Sequence, residues 1–341
     1  MNRPILAIET SCDETAAAVI ARTADPARPW TLLSSIVASQ TEIHREWGGV
    51  VPELASRQHV RDICGVVEAA LEKAGVAASS LSAIAVTQGP GLVGSLLVGC
   101  SMAKALAWVH RLPLVGVNHL EGHVYASFLT EEAPEYPFLA LVVSGGHTAL
   151  YHASAPLTYH LVGQTRDDAA GEAFDKVAKL LGLGFPGGPI IQRTAERGDP
   201  RAIEFPLAQM TDGASDFSFS GIKTSVSLYV RRHGPLGEAQ VADVAASFQA
   251  AVVKMLVRQT VRAALRIGVK RVVLTGGVAA NGPLRTALYA EAEQHGIRLH
   301  IPPPGLCTDN AAMITAAGTV RLAAGERAPL TLNATPDLAL A

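Results

Sequence analysis

The sequence is short of cysteine, and its cysteines do not form a framework. The 341 residues contain four of them, scattered and without a C-x-x-C pair: Cys12, Cys64, Cys100 and Cys307. This pattern excludes a disulfide scaffold and a zinc ribbon, and it is typical of free thiols in a reducing compartment. No apolar run of signal-peptide length precedes Glu9, so we expect a cytoplasmic protein.

Charge is also scarce and nearly balanced. Charged residues make up 17% of the chain and the formal net charge is -2, which excludes tail-like chains and binding driven by bulk charge. A nucleic-acid partner would therefore need a local basic patch. One series of cations recurs at every fourth residue, at Lys254, Arg258, Arg262, Arg266 and Lys270. Such a series is more often a solvated helix face than a phosphate site.

No uninterrupted hydrophobic run is long enough to cross a membrane. The most apolar stretch, residues 92–109, is broken by Gly94, Gly99 and Lys104, whereas a spanning helix needs about 20 mostly apolar residues. We predict a buried helix there and no membrane association. Hydrophobic residues nonetheless make up 49% of the chain, and its length favours about two domains with cores of their own.

Two local patterns each occur twice along the chain. A hairpin of apolar runs around a polar turn is predicted over residues 5–20 and again over 138–152. A buried strand that leads through glycines into a helix is predicted over 82–109 and again from Arg271 to beyond Pro283. The repeated order predicts an α/β fold built from two related lobes.

Start and stop signals indicate three further helices and one linker. Amphipathic helices are predicted over residues 50–74, 240–267 and 309–325, the first two ending at a glycine. Residues 131–137 are rich in Pro and Glu and are the best candidate linker between the lobes.

The segment N-H-L-E-G-H at residues 118–123 places two histidines four residues apart. On a helix, the rings of His119 and His123 project from one face and can share a metal ion, although two such histidines can also simply pack. The zinc-peptidase order H-E-x-x-H is absent: the order here is H-x-E-x-H. A helix turns the acid at this middle position, Glu121, away from the ligand face. Asp309, at the start of the last predicted helix, can supply a third ligand or merely cap that helix. Two imidazoles and a carboxylate suit Fe or Zn acting as a Lewis acid.

Glycine-rich turns form a second set of candidates. Residues 144–147 and 275–277 follow predicted buried strands, and 185–189 follow a predicted helix. Successive backbone N–H groups in such turns bind phosphate oxygens, although a glycine after a strand usually only makes a corner. None matches G-x-G-x-x-G or the P-loop, so Rossmann-type and Walker-type sites are not predicted. Asp175 can take a pair of ribose hydroxyls or can be an ordinary surface carboxylate.

The turn of the first hairpin is dense in polar side chains: Ser11, Asp13, Glu14 and Thr15. Polar turns are common, so this cluster can be purely structural. In the functional interpretation, Asp13 or Glu14 orients an attacking group or balances a metal charge.

Taken together, these motifs resemble those of the tRNA N6-adenosine threonylcarbamoyltransferases, a family formerly labelled O-sialoglycoprotein endopeptidases. The resemblance runs in order from about residue 4 to 320 and rests on residues 8–15, 48–57, 89–92, 118–123, 143–147, 170–176, 217–221, 276–281 and 307–310.

The resemblance implies the actin-like ATPase and sugar-kinase fold, with duplicated α/β lobes around a nucleotide cleft. We expect four regions: an N-terminal lobe over residues 1–133, a C-terminal lobe over 134–308, a C-terminal helix over 309–330 that crosses back to the N-terminal lobe, and a tail over 331–341.

The implied reaction transfers threonylcarbamoyl from threonylcarbamoyl-adenylate to N6 of the adenosine 3′ of the anticodon, in tRNAs that read ANN codons, and releases AMP. The resemblance assigns one metal, Fe or Zn with Fe²⁺ favoured, to His119, His123 and Asp309. It assigns the substrate to Val142, Val143, Ser144, Gly145, Gly146, Asp175, Gly188 and Asn281. Our own hypothesis is that Asp13 or Glu14 positions the incoming amine or receives its proton. The implied partners are tRNA, a paralogous dimerising subunit and a small ATPase.

Three rival functions are weaker on the same residues. A metallo-endopeptidase is disfavoured by the position of Glu121. A small-molecule kinase or ATPase on the same fold is disfavoured because a histidine pair prefers Fe or Zn to Mg. A non-catalytic scaffold would not need so many glycines and histidines at turn positions.

Overall fold

A computed structural model describes residues 3–23, 29–208, 210 and 213–341, and the chain divides into two units. Unit 1 comprises Met1–His44, Val50–Ala133 and Thr308–Ala341, and unit 2 comprises Arg45–Gly49 and Pro134–Cys307.

Strands and helices alternate along most of the chain. The strands are β1 (Ile5–Glu9), β2 (Glu14–Arg22), β3 (Trp30–Ser39), β4 (Ala83–Gly89), β5 (Leu114–Asn118), β6 (Phe138–Val143), β7 (Thr148–Ala155), β8 (Thr158–Gln164), β9 (Arg271–Thr275) and β10 (Arg298–His300). The α-helices are α1 (Thr41–Arg45), α2 (Pro52–Ala74), α3 (Val93–His110), α4 (His119–Ala126), α5 (Ala170–Leu180), α6 (Gly187–Ala195), α7 (Ser220–His233), α8 (Glu238–Ile267), α9 (Gly282–Gln294), α10 (Pro304–Cys307) and α11 (Ala311–Ala323).

Unit 1 is built on a five-stranded sheet in the order β3-β2-β1-β4-β5. The central strand β1 pairs antiparallel with β2 and parallel with β4, and all five of its residues are buried. Helix α11 packs across this sheet and against α4. A Cβ on Gly318 would lie 2.6 Å from the Cβ of Ala85, so only a residue without a side chain lets α11 approach β4 this closely.

Unit 2 repeats the arrangement of unit 1. Its five-stranded sheet has the order β10-β9-β6-β7-β8. Taken from the other edge, β8-β7-β6-β9-β10 matches β3-β2-β1-β4-β5 strand for strand, with two antiparallel pairings followed by two parallel ones. The prediction of a duplicated α/β fold is therefore confirmed.

The predicted long helices lie within two residues of the observed ones. Residues 50–74 form α2, which ends at Gly75 in the left-handed conformation with φ 64°. Residues 240–267 form α8 and residues 309–325 form α11. The outer strands of the two sheets, β3, β5, β8 and β10, are not among the predicted elements.

The helix predicted over residues 92–109 is α3, but the expectation that it is buried is only partly right. One face of α3 is packed, whereas Val93 is 54% and Trp108 71% exposed. By length and composition both α3 and α8 are long and apolar enough to cross a membrane; of the most apolar 18 residues of each helix, 33% are buried within the protein in α3 and 72% in α8. Helix α8 is thus a core helix of unit 2.

Residues 331–341, expected to form a tail, are hydrogen-bonded to unit 1. The N–H of Thr335 donates to the carbonyl of Gln88 at 2.9 Å, and the N–H of Gly91 donates to the carbonyl of Pro336 at 3.0 Å. The side-chain amide of Asn118 also donates to the carbonyl of Leu338, at 3.0 Å. The last residues therefore brace the ends of β4 and β5, next to the start of α4.

Candidate functional site

Helix α4 carries the two histidines of the N-H-L-E-G-H segment. Asn118 caps the helix by accepting a hydrogen bond from the N–H of Leu120 at 2.9 Å, so α4 begins at His119. The four-residue spacing then places the two imidazoles side by side, with ring centroids 4.7 Å apart. Both rings are buried, His119 being 5% exposed and His123 0%.

Asp309 directs its carboxylate at these rings and does not cap the helix that follows it. The cap of α11 is Asn310, whose side chain accepts from the N–H of Met313 at 3.0 Å. Asp309 Oδ1 lies 3.5 Å from His119 Nε2 and 3.2 Å from His123 Nε2. One ligand atom from each of the three residues lies within 4.8 Å of the other two. The alternative interpretation of Asp309 as the cap of the last helix is therefore wrong.

The packing of α4 on α11 brings these residues together. A Cβ on Gly122 would lie 2.6 Å from Ile314 Cδ1, so the glycine between the two histidines lets the helices approach closely. The local sequence H-x-x-G-H thus supplies two metal-ligating nitrogen atoms. Its glycine also lets α4 pack closely enough on α11 for these nitrogens to lie near Asp309.

Glu9 is the residue of this site that the sequence analysis missed. It ends β1 fully buried, and its Oε2 lies 3.0 Å from His119 Nδ1. The same carboxylate accepts from the N–H of Ser11 at 2.5 Å and from the hydroxyl of Thr87 at 2.6 Å. A carboxylate accepts only, so Nδ1 carries the hydrogen and Nε2 faces Asp309, as a metal-binding imidazole requires. A charged residue at the end of a wholly buried strand was the available signal.

The electrostatics of this cluster favour a positive charge. Burial lowers the pKa of His119, but the charges of Asp309 and Glu9 outweigh it and raise that pKa to about 9. Burial likewise raises the pKa of Glu9, yet the charge of His119 outweighs it and the net pKa is lowered. For His123, burial prevails and lowers the pKa. The two carboxylates flank the His119 ring and favour positive charge in this cluster. A set of two imidazoles and one carboxylate fits Fe or Zn.

Glu121 is turned away from the ligand atoms, as helix geometry predicts. It is buried, and its Oε2 accepts from Arg321 Nε of α11 at 2.5 Å. Its charge raises the pKa of Arg321 despite the burial of that guanidinium. Glu121 therefore holds α4 to α11 and cannot serve as the base of a zinc peptidase.

The polar turn between β1 and β2 lies in the electrostatic field of Asp309. Burial, followed by the charges of Asp13 and Asp309, raises the pKa of Glu14 well above its ordinary value. Burial and the same two charges also raise the pKa of the Cys12 thiol. Glu14 thus keeps a proton to a higher pH than an exposed glutamate, and a carboxyl group of this kind can exchange protons in acid–base chemistry.

In unit 2, β6 leads into the predicted glycine-rich turn. The side chains of Val142 and Val143 are fully buried, so only the turn after them is open to a ligand. Ser144 Oγ accepts from the N–H of His147 at 3.1 Å, and Gly145 and Gly146 are exposed.

Asp175, Gly188 and Asn281 are gathered around α6. Asp175 Oδ1 accepts from the N–H of Gly187, the first residue of α6, at 2.7 Å. Gly188 follows, and a Cβ there would meet no heavy atom within 4 Å. Asn281 caps α9, accepting from the N–H of Leu284 at 2.9 Å, and the N–H of Gly282 beside it donates to Gln192 of α6 at 3.0 Å. The start of α9 is thereby linked to the second half of α6.

Cys307, which precedes Asp309 in the sequence, belongs to unit 2. Its sulfur lies 3.3 Å from Arg285 Nη2, and burial raises the pKa of the thiol.

Comparison with known proteins adds three observations. Residues 31–316 match the family model described as "TsaD: tRNA N6-adenosine threonylcarbamoyltransferase". A tRNA N6-adenosine threonylcarbamoyltransferase of Symbiobacterium thermophilum is 56% identical over 336 residues, covering 98% of this chain and 96% of that protein. One of Anaeromyxobacter dehalogenans (strain 2CP-C) is 58% identical over 334 residues, covering 97% and 98%.

Among solved structures, one described as "T.kodakarensis HypF" aligns with a TM-score of 0.64 at 14% identity. The alignment covers 95% of this chain and 48% of HypF, so the chain spans about half the length of that protein. This likeness concerns the fold alone.

Proposed function

The chain belongs to the tRNA N6-adenosine threonylcarbamoyltransferase family, and we propose that it transfers threonylcarbamoyl from threonylcarbamoyl-adenylate to tRNA. The acceptor is N6 of the adenosine 3′ of the anticodon in tRNAs that read ANN codons. The N6 nitrogen bonds to the carbamoyl carbon, the bond from that carbon to the phosphate oxygen breaks, N6 loses one proton, and AMP leaves.

The observation that carries this proposal is the convergence of His119 Nε2, His123 Nε2 and Asp309 Oδ1. These three residues would hold one Fe²⁺ or Zn²⁺ ion per chain, and Fe²⁺ is favoured by the family resemblance. Such an ion supplies Lewis-acid polarisation of the carbamoyl oxygen or of the adenylate phosphate. Glu9 orients His119 for this task through Nδ1, and Glu121 braces the two helices that carry the ligands.

We assign the proton chemistry to the turn between β1 and β2. The donor is already activated as a mixed anhydride, so the reaction needs no protein nucleophile. It needs a group that positions the amine and takes its proton, and Asp13 or Glu14 fills that role. Replacing each with Ala is expected to abolish transfer while leaving adenylate binding nearly intact. Weak adenylate binding instead would remove the catalytic assignment.

We assign the adenylate to residues of unit 2. The backbone N–H groups of Gly145 and Gly146 suit phosphate or carbamoyl oxygens, because both residues are exposed and carry no side chain. Ser144 contributes by forming the turn, since its own N–H donates to the carbonyl of His147 at 2.8 Å. Val142 and Val143 contribute by shaping the strand that leads into this turn, since their side chains are in the core.

We assign binding of the adenosine part of the donor to the residues around α6. Asp175, Gly188 and Asn281 are assigned to the ribose and base, with Gly188 offering the open surface that a ring needs. The side chain of Asn281 is engaged as a helix cap, which supports a role in shaping the start of α9.

The enzyme is proposed to act in the cytoplasm, with tRNA as its acceptor. A paralogous dimerising subunit and a small ATPase of the same pathway are its proposed partners.

The test is direct transfer. The purified chain is incubated with threonylcarbamoyl-adenylate and unmodified ANN-reading tRNA, with and without the two partner proteins, and the nucleosides are analysed by mass spectrometry. We expect N6-threonylcarbamoyladenosine and an equal amount of AMP. Unmodified adenosine in the presence of adenylate and both partners would refute the proposal.

A further inference from the structure

A buried histidine outside the metal site contacts the turn that carries Asp13 and Glu14. His59 of α2 is 0% exposed. Its Nε2 lies 2.9 Å from the carbonyl oxygen of Cys12, and its Nδ1 lies 2.7 Å from the hydroxyl of Thr15. The two ring nitrogens therefore contact the residue before the acidic pair and the residue after it.

These contacts define the protonation of His59. A carbonyl oxygen only accepts hydrogen bonds, so Nε2 carries the hydrogen and Nδ1 is the acceptor. The Thr15 hydroxyl donates to Nδ1, and the Gln40 amide donates to it as well at 3.3 Å. Burial lowers the pKa of His59, consistent with a neutral ring in this single tautomer.

The hydrogen bonds continue away from the turn in one direction. Gln40 Oε1 accepts from His44 Nε2 at 3.3 Å, and His44 Nδ1 accepts from the N–H of Val51 at 3.3 Å. Every donor in this series points from Val51 towards Cys12. A series with one consistent polarity fixes each side-chain orientation, because reversing any one member would place two donors or two acceptors face to face.

The turn is held at a second point by the same series. The backbone N–H of Gln40 donates to the carbonyl of Asp13 at 3.0 Å. The carbonyls of Cys12 and Asp13 are thus both occupied, one by His59 and one by Gln40. When two successive peptide planes are fixed, the Cα–Cβ directions of Asp13 and Glu14 are fixed as well. The directions in which their carboxyl groups point are thereby restricted.

We propose that His59 is a positioning residue for the transfer reaction: it holds the Cys12–Thr15 backbone so that Asp13 and Glu14 address the incoming amine. The inference rests on the proposed function of Asp13 and Glu14. His59 acts through the turn, by its contacts with Cys12 and Thr15.

Two substitutions at residue 59 test the proposal. His59→Leu keeps a buried apolar volume but removes both hydrogen bonds, whereas His59→Gln keeps an N–H donor near the position of Nε2. We expect His59→Leu to lower kcat by about 10–100-fold, because small displacements of a catalytic group cost this much. The KM for adenylate stays within a few-fold, and His59→Gln recovers most of the lost kcat. His160→Leu, at an exposed histidine of β8, is the matched control and keeps the wild-type kcat.

A second variant separates positioning from general stability. Thr15→Val removes the hydroxyl that donates to Nδ1 but leaves the Gln40 amide as a second donor, so it is expected to lower kcat less than His59→Leu does. Since both changes act through one turn, the double variant loses no more than His59→Leu alone. Rates are taken per folded molecule, from the folded fraction measured by thermal unfolding. If His59→Leu does not fold, Thr15→Val and His59→Gln still give the comparison.

The results that would overturn the role of His59 differ from those that would overturn the roles of Asp13 and Glu14. A wild-type kcat per folded His59→Leu molecule overturns the inference, as does a loss of kcat that Gln fails to recover or that multiplies with that of Thr15→Val. Wild-type kcat in Asp13→Ala and Glu14→Ala would instead refute the proposed roles of those acids, whatever His59 does.

Discussion

Glu9 Oε2 lies 3.0 Å from Nδ1 of His119, which turns the opposite nitrogen of that imidazole towards Asp309. The last residue of β1 thereby controls the first residue of α4, although 110 positions separate them in the chain. A carboxylate in this position fixes the tautomer of a ligand histidine and raises its basicity.

Replacing Glu9 with Gln is expected to weaken metal binding. Gln keeps the size of the side chain but removes its charge, so His119 loses a strong acceptor for Nδ1. Affinity for Fe²⁺ or Zn²⁺, measured by competition with a chelator, should fall about 10–100-fold, the usual effect of such partners. Glu53→Gln, at an exposed glutamate paired with Arg57, should leave the affinity unchanged. Equal affinities in all three proteins would contradict an orienting role.

Glu14→Gln is expected to lower the transfer activity and to raise the free energy of unfolding by an amount that depends on pH. Burial and the charges of Asp13 and Asp309 raise the pKa of Glu14 in the folded protein. The unfolded chain ionises Glu14 near pH ~4.3, whereas the folded protein still holds the proton there. The folded state therefore binds more protons above that pH, and its stability falls as the pH rises through the folded pKa.

Removing the titrating group removes this loss. Urea unfolding of the metal-free protein should show Glu14→Gln gaining stability over the wild type as the pH rises above ~4.3, the pKa of the unfolded chain. Transfer activity should fall at the same time. A stability difference that does not change with pH would show that Glu14 ionises normally in the folded protein.

Gly318→Ala should destabilise unit 1. The new methyl would lie 2.6 Å from the Cβ of Ala85, which cannot rotate away, so α11 has to shift. Overpacking of this kind costs about 1–3 kcal/mol of unfolding free energy. The control is Gly65→Ala in α2, where nothing lies within 4 Å; it should gain up to about 1 kcal/mol from helix propensity. Equal unfolding free energies for the two variants would contradict the tight contact between α11 and β4.

Local patterns carried most of the prediction. Once α4 is predicted to be a helix, the i, i+4 spacing of His119 and His123 places the two rings on the same face. The position of Glu121 between them places its side chain on another face. The repeated hairpins and strand-glycine-helix units predicted the duplicated sheets because each pattern lies within a few residues. Glycines such as Gly75, at the end of α2, mark helix ends for the same local reason.

Tertiary neighbours could not be predicted in this way. Glu9 meets His119 only because β1, β4 and β5 are adjacent in the sheet, and His59 meets Cys12 only because α2 packs on β2. Strand β3 escaped prediction for another reason. As an outer strand it has residues of intermediate or full exposure on both faces, so it lacks the alternation of apolar and polar residues that a half-buried strand shows.

Metal content tests the central claim most directly. Four proteins are compared: the wild type, His123→Ala, Asp309→Ala and the exposed control His160→Ala. Each is dialysed without oxygen against a low, constant concentration of Fe²⁺ or Zn²⁺, and the bound metal is measured by elemental mass spectrometry. We predict one metal ion per chain in the wild type and in His160→Ala, and near-complete loss in the other two. A full equivalent of metal in both His123→Ala and Asp309→Ala would contradict the assignment of this site.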